Sequence, residues 1–288
     1  MTERVVQFGD NNRLHGIMNI GGSNDRPTIL LFNAGIVHRI GAHRLNVKLA
    51  RNLADQGYNS IRFDLSGLGD SAPAPSGLGY EEQAIADIAS AMDRMVQEAG
   101  AHAFVAIGMC SGADNAYRAA LSDQRLRGLI LLDPYAYENP AAALENVIAR
   151  ATDIDRWKRK AKKIVGLEKT EPATPVSATP VSVPSDDDDD QARPIPPLEE
   201  FGSDLEELCN QGTRIYTIYT GFVKRQITKP EQFFSTFASY DFKNAIDVDV
   251  FPAFDHTYTD LSAQEVLFAK ISDWLGNVFP PGAEIIDE

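Results

Sequence analysis

The chain has 288 residues and a formal net charge of −14 at pH 7, enough length for one full α/β domain with a sizeable core. That acidity argues against nucleic acid as a partner, since proteins that bind it set basic patches against phosphate. With only Cys110 and Cys209 as cysteines there is no disulfide framework, which suits a reducing compartment, and a cytoplasmic location is expected. The first residues lack a continuous apolar segment, so no secretion signal is expected, and no stretch is apolar for long enough to predict a membrane span.

Residues 5–8 and 14–20 flank the turn cluster Gly9-Asp10-Asn11-Asn12 and predict an antiparallel hairpin. The apolar, β-branched run at 28–32 predicts a strand buried on both faces. It ends in Asn33-Ala34-Gly35-Ile36, where backbone amides can point into a cleft above the carboxyl edge of a sheet. The next loop, Val37-His38-Arg39-Ile40-Gly41-Ala42-His43-Arg44, is rich in cationic and imidazole side chains. Two readings stay open for it: His38 and Arg39 bind a carboxylate or phosphate of a substrate, or these side chains solvate the loop and bond its carbonyls.

A helix follows, with Leu45, Leu49, Ala50, Leu53 and Ala54 on one side and a stop at Gln56-Gly57. Residues 59–63 predict a strand. Behind it, Asp64-Leu65-Ser66-Gly67-Leu68-Gly69-Asp70-Ser71 predicts a tight excursion in which Asp64 accepts hydrogen bonds from loop amides. Residues 80–97 carry Ala and Ile at helical spacing, with Glu81 and Glu82 near the start as the helix dipole prefers.

An apolar strand at 103–107 runs into Gly108-Met109-Cys110-Ser111-Gly112. Glycines two positions either side of Cys110 fit a sharp strand-to-helix turn with a nucleophile at its apex, because larger side chains there clash with the returning helix. Glycine-rich turns also occur without chemistry, and cysteine also serves as a small buried hydrophobe. A helix over 115–121 and a strand over 126–132 follow, the strand ending in Asp133-Pro134-Tyr135. Strands and helices repeating at crossover spacing predict a largely parallel sheet covered on both faces.

After residue 134 the regularity lapses. Residues 140–166 predict a helix with a basic segment at 156–163, while 168–197, rich in Pro, Thr, Ser and Asp, predicts a flexible loop. The aspartate run at 186–190 lacks the spaced oxygens and glycine turn of a calcium loop, and neither metal nor cofactor is expected. Order returns with a helix at 198–209, in which Cys209 is a packing residue, then a strand at 214–219, a helix at 230–238, a strand at 246–251 and a helix at 263–274. The last strand runs into Asp255-His256-Thr257-Tyr258.

The turn at Asn33-Ala34-Gly35-Ile36, the phrase Arg62-Phe63-Asp64 with Gly67-Leu68-Gly69-Asp70-Ser71, the turn at Cys110 and Asp255-His256-Thr257-Tyr258 together resemble the α/β-hydrolase superfamily. Within it, the stretch 37–71 resembles the serine-aminopeptidase-like hydrolases associated with exosortase systems. The resemblance implies the α/β-hydrolase fold: a mostly parallel eight-stranded sheet with helices on both faces, its core in residues 1–134 and 211–288, and a lid insertion at 135–210. It also implies an acyl-transfer site for a small ester, thioester or lactone. Cys110 would attack the carbonyl, His256 would accept its proton, and the amides of Ser111 and of Ile36 or its neighbour would hold the oxyanion.

This sequence departs from the family's pattern twice. Cysteine stands where most members have serine, as it does in dienelactone hydrolases, and Val223 stands where the acid after the seventh strand is expected. Asp133, at the end of the sixth strand, is the preferred acid, because some family members carry it there. A Cys-His dyad stays open, as does Asp133 serving only as a turn residue before Pro134, and Glu138 and Asp255 are the alternative carboxylates. Hydrolysis and acyl transfer would use the same residues. The rival functions are a catalytically degenerate binding or scaffold protein on the same fold, and a peptidase, which would need carboxylates to recognise a substrate amino terminus.

Overall fold

The computed structural model describes residues 2–74, 77–140 and 194–282. Eight strands form a single sheet: β1 (Thr2–Phe8), β2 (Leu14–Ile20), β3 (Thr28–Leu31), β4 (Ser60–Phe63), β5 (Phe104–Met109), β6 (Leu126–Leu132), β7 (Arg214–Thr220) and β8 (Ile246–Phe251). Their order across the sheet is β1-β2-β4-β3-β5-β6-β7-β8. The hairpin β1–β2 is antiparallel and β2 runs antiparallel to β4, whereas every pair from β4 to β8 is parallel. Parallel neighbours require crossovers, and the crossovers within the described residues carry helices α1 (Leu45–Asp55), α2 (Tyr80–Ala99), α3 (Ser111–Ser122), α4 (Leu198–Asn210) and α5 (Pro230–Thr236); α6 (Leu261–Val278) follows β8.

Side chains alternate along each central strand and so feed two separate cores. Leu30, Phe104 and Ala106 point to one face, where Ile88 and Met92 of α2, Ala113 and Ala116 of α3, and Phe201 and Leu205 of α4 cover them. Ile29, Leu31, Val105 and Ile107 point to the other, under Leu45, Leu49 and Leu53 of α1 and Leu267, Ile271 and Leu275 of α6. This two-sided burial is why the central strands read as continuous apolar runs without alternation. Cys209 lies in the first core, and burial pushes its thiol up to about 12.

Helix α3 begins at Ser111, several residues before the apolar periodicity marks it, because its first turn is built from small and polar residues that pack against the backbone. Two glycines make that packing possible. A Cβ on Gly108 would overlap the Gly112 carbonyl, and one on Gly112 would lie 2.7 Å from the Asn33 carbonyl oxygen. The expected helix at 140–166 with its basic segment, and the greater part of the expected loop and lid, lie outside the described residues. Among the described residues, no helix is long and apolar enough to cross a membrane.

Replacing Gly108 by Val should therefore force β5 and α3 apart and lower the free energy of urea unfolding by about 2 kcal/mol or more. An unchanged unfolding midpoint in that variant would contradict the close approach.

Candidate active site

Strand β5 delivers Cys110 to the carboxyl edge of the sheet in a conformation that side-chain-bearing residues rarely adopt, with φ 53° and ψ −122°. The Cys110 amide donates to the Leu132 carbonyl of the neighbouring strand at 2.9 Å, and the Cys110 carbonyl accepts from Ala113 at 2.8 Å to start α3. These bonds hold the backbone on both sides of the turn. The thiol is half-buried, at the positive end of α3.

Asp133 follows β6 with φ 47° and is 1 % exposed. Its Oδ1 accepts from the Thr220 amide at 2.7 Å, and its Oδ2 accepts from the Thr220 hydroxyl and pairs with His256 Nδ1, both at 2.7 Å. His256, in the turn after β8, also hydrogen-bonds Cys110. Since Nδ1 faces Asp133, Nε2 is the atom left for the thiol. Burial alone pulls the imidazole pKa down, but the bonds to Asp133 and Cys110 outweigh it and raise it from 6.5 to about 9. The Phe222 ring stacks on this imidazole at 4.2 Å between centroids.

An alpha/beta hydrolase fold family model matches residues 27–167. Among solved structures, an esterase of Pyrococcus furiosus superposes with a TM-score of 0.56 at 15% identity, covering 96% of this chain and 90% of that one. A CIB-like hydrolase of Thermoplasma acidophilum gives a TM-score of 0.55 at 13% identity, over 96% and 99% of the two chains. A thioesterase domain from the curacin biosynthetic pathway gives 0.54 at 14% identity, over 94% and 100%. This chain has the α/β-hydrolase fold. Comparison with curated proteins gives no match.

On this α/β-hydrolase sheet the expected acid position after β7 is filled differently. Val223 is buried in the first core, and the strand's last residue, Thr220, holds Asp133 from two atoms instead. Neither Thr220 nor Phe222 is singled out by the sequence, although both lie within three residues of Val223. The alternative carboxylates are elsewhere: Glu138 is exposed, and Asp255 accepts from the Thr257 and Thr259 amides at 3.0 Å, closing its own turn.

The residues expected to meet the substrate divide. Ser111 opens α3 beside Cys110, and its hydroxyl accepts from the Gly35 amide at 2.7 Å. Ile36 exposes its side chain in the same turn, one residue after the Gly35 amide that Ser111 takes.

His38 and Arg39 are drawn away from that cavity. Asp64, fully buried, accepts from the Arg39 amide and from Asn33 Nδ2 at 2.7 and 2.8 Å and is paired with the Arg39 guanidinium, which also reaches Asp70 at 2.7 Å. His38 lies 3.4 Å from Asp64 and 3.5 Å from Asp70. Of the two readings kept open for these cations, the contacts are those of loop ties on a buried carboxylate, and Asp64 accepts from loop amides as expected of it. His38, Asp64 and Asp70 would otherwise offer a metal three ligand atoms, but the Arg39 guanidinium already bridges the two carboxylates.

Beside Cys110 and His256 lies a cavity of about 160 Å³. It descends between the edge of the sheet and α1, with Leu45 and Leu49 on one wall and Ile107 and Leu132 on the other. The arrangement can present a nucleophilic sulfur, a proton-carrying imidazole and an apolar recess to one bound molecule.

The His256 pair makes stability depend on pH. Below about pH 6.5 the imidazolium is charged in both folded and unfolded chains and its bonds contribute in full; the contribution shrinks as pH rises toward about 9 and is gone above that. In Asp133→Asn the largest raising interaction is lost, so the His256 ring resonance in a proton NMR titration should move its midpoint from about 9 well toward 6.5. A midpoint that stays near 9 in the variant would show that Asp133 does not hold the proton on the ring.

Proposed function

We propose that this chain is an acyl hydrolase or acyltransferase acting on an ester, thioester or lactone through Cys110, His256 and Asp133. The observation that carries the reading is the continuous chain of hydrogen bonds from Asp133 through His256 to Cys110, ending at the strained turn. Asp133 fixes the ring so that Nε2 faces sulfur, and the sulfur attacks the substrate carbonyl as thiolate. The negative charge on the carbonyl oxygen is received by the Ser111 amide at the start of α3 and by the Ile36 amide, the Gly35 amide being already donated to the Ser111 hydroxyl. Nε2–H then protonates the leaving group, and an acyl thioester on Cys110 remains. Water activated by Nε2, or an acceptor alcohol, amine or thiol in its place, releases the acyl group and restores the thiol.

Cysteine suits this arrangement because a thiolate beside an imidazolium is stable near neutral pH, where an alkoxide is not. A working thiol also suits a reducing compartment, and we place the protein in the cytoplasm on that ground. Folds of the same shape include proteins named as an esterase and a thioesterase, which supports the choice of carbonyl substrate.

The test combines turnover with labelling. Wild-type protein should hydrolyse p-nitrophenyl acetate, Cys110→Ala should lose that activity by at least about 100-fold, and iodoacetamide at neutral pH should modify Cys110 well before the buried Cys209. Ester turnover that survives Cys110→Ala, or equal labelling of both cysteines, would sink the proposal.

A further inference from the structure

The cavity beside Cys110 has a chemistry of its own. Its inner end is closed by side chains of the second core: Leu49, Ile107 and Leu132 are each 4% exposed or less. Among the described residues of its wall there is no lysine, arginine, aspartate or glutamate. Besides Cys110, His256 and Thr257 at the mouth, the wall's polar side chain is Asn46, whose amide nitrogen is 3.4 Å from the Phe32 carbonyl. An ionised group placed at the inner end, among Leu49, Ile107 and Leu132, would lose its hydration without a charged partner beside it. An apolar group would gain the burial it displaces water from. The volume of about 160 Å³ is close to that of apolar protein cavities known to hold benzene, on the order of six heavy atoms.

We infer that the recess between Cys110 and α1 is the acyl site, and that it takes an uncharged, apolar acyl group of about hexanoyl or benzoyl size. This rests on Cys110 being the nucleophile. The acyl chain runs down from the sulfur between Leu45 and Leu49 of α1 and Ile107 of β5, and the leaving group stays at the open mouth. A free amino-terminal group is disfavoured by the same wall, which carries no carboxylate, and the distal carboxylate of a dicarboxylic acyl group would be buried among Leu49, Ile107 and Leu132, away from the His256 imidazolium at the mouth. Gly41 and Ala42, half-buried just before α1, line the same recess.

The experiment is a series of p-nitrophenyl esters from acetate to decanoate, with the mono-p-nitrophenyl ester of succinate as the charged four-carbon member, read as kcat/KM so that the acylation step is compared. The value should climb by about 4-fold per methylene toward hexanoate. It should fall by at least about 10-fold by decanoate, where the chain exceeds the recess. The succinate ester should lie at least about 100-fold below butyrate. Ala42→Phe adds bulk to the lining of the recess, and the hexanoate-to-acetate ratio in that variant should drop by at least about 10-fold. The ratio is internal to one protein sample, so any loss of folded enzyme cancels. A profile that is flat or still rising at decanoate, or a ratio unmoved by Ala42→Phe, would overturn the acyl-site assignment while turnover remained dependent on Cys110. Should no ester be turned over in a Cys110-dependent way, the proposed function fails first and the acyl site with it.

Discussion

The buried Asp133 carboxylate is the constraint on which the rest of the site depends. Its two oxygens accept three hydrogen bonds, two from Thr220 and one from His256, in a place that water does not reach. Each bond fixes a different part of the molecule. Those from Thr220 join the ends of β6 and β7, and the one from His256 sets the turn after β8. Removing one partner from such a network leaves a buried group unpaired, which costs more than the bond itself contributes. The imidazole is thus oriented by the same interaction that ties three strand ends together, and Phe222 closes one face of the ring against solvent.

The opposite support comes from backbone packing. Gly108 and Gly112 let α3 turn back on β5 at a distance that no Cβ permits, so Cys110 stands at the apex with its amide and carbonyl both committed. The strain at Cys110 is carried by steric closeness, and the position of His256 by a polar network. These are different kinds of interaction, and they meet at the hydrogen bond between Cys110 and His256.

Much of this was legible in the sequence for reasons that can be named. The sheet was legible because strands buried on both faces must be apolar throughout, and the turn because its glycines are sterically required. Asp133 was legible because it follows its strand without interruption. What escaped was set by contacts distant along the chain. Whether His38 and Arg39 face a substrate or a buried carboxylate depends on Asp64, which a strand, a helix and two loops separate from them, and local pattern carries no sign of the choice. That the Gly35 amide is spent on the Ser111 hydroxyl is likewise set by a contact between segments far apart along the chain. Thr220 is an ordinary strand residue until Asp133 is beside it, and the recess under α1 is a property of packing that no single residue encodes.

The unequal filling of the two faces bears on function. On the α2, α3 and α4 side, aromatic rings such as Tyr117, Tyr135 and Phe201 interlock edge to face at 5.2 to 6.0 Å and leave little room. On the α1 side the core stops short beneath Cys110, leaving about 160 Å³ unfilled. At ~24 cal/mol per Å³, a sealed void of that size would cost about 4 kcal/mol, an upper bound here because the mouth is open to water. A cost of that order, borne beside the Cys110 thiol, is one that an apolar group occupying the recess would recover on binding.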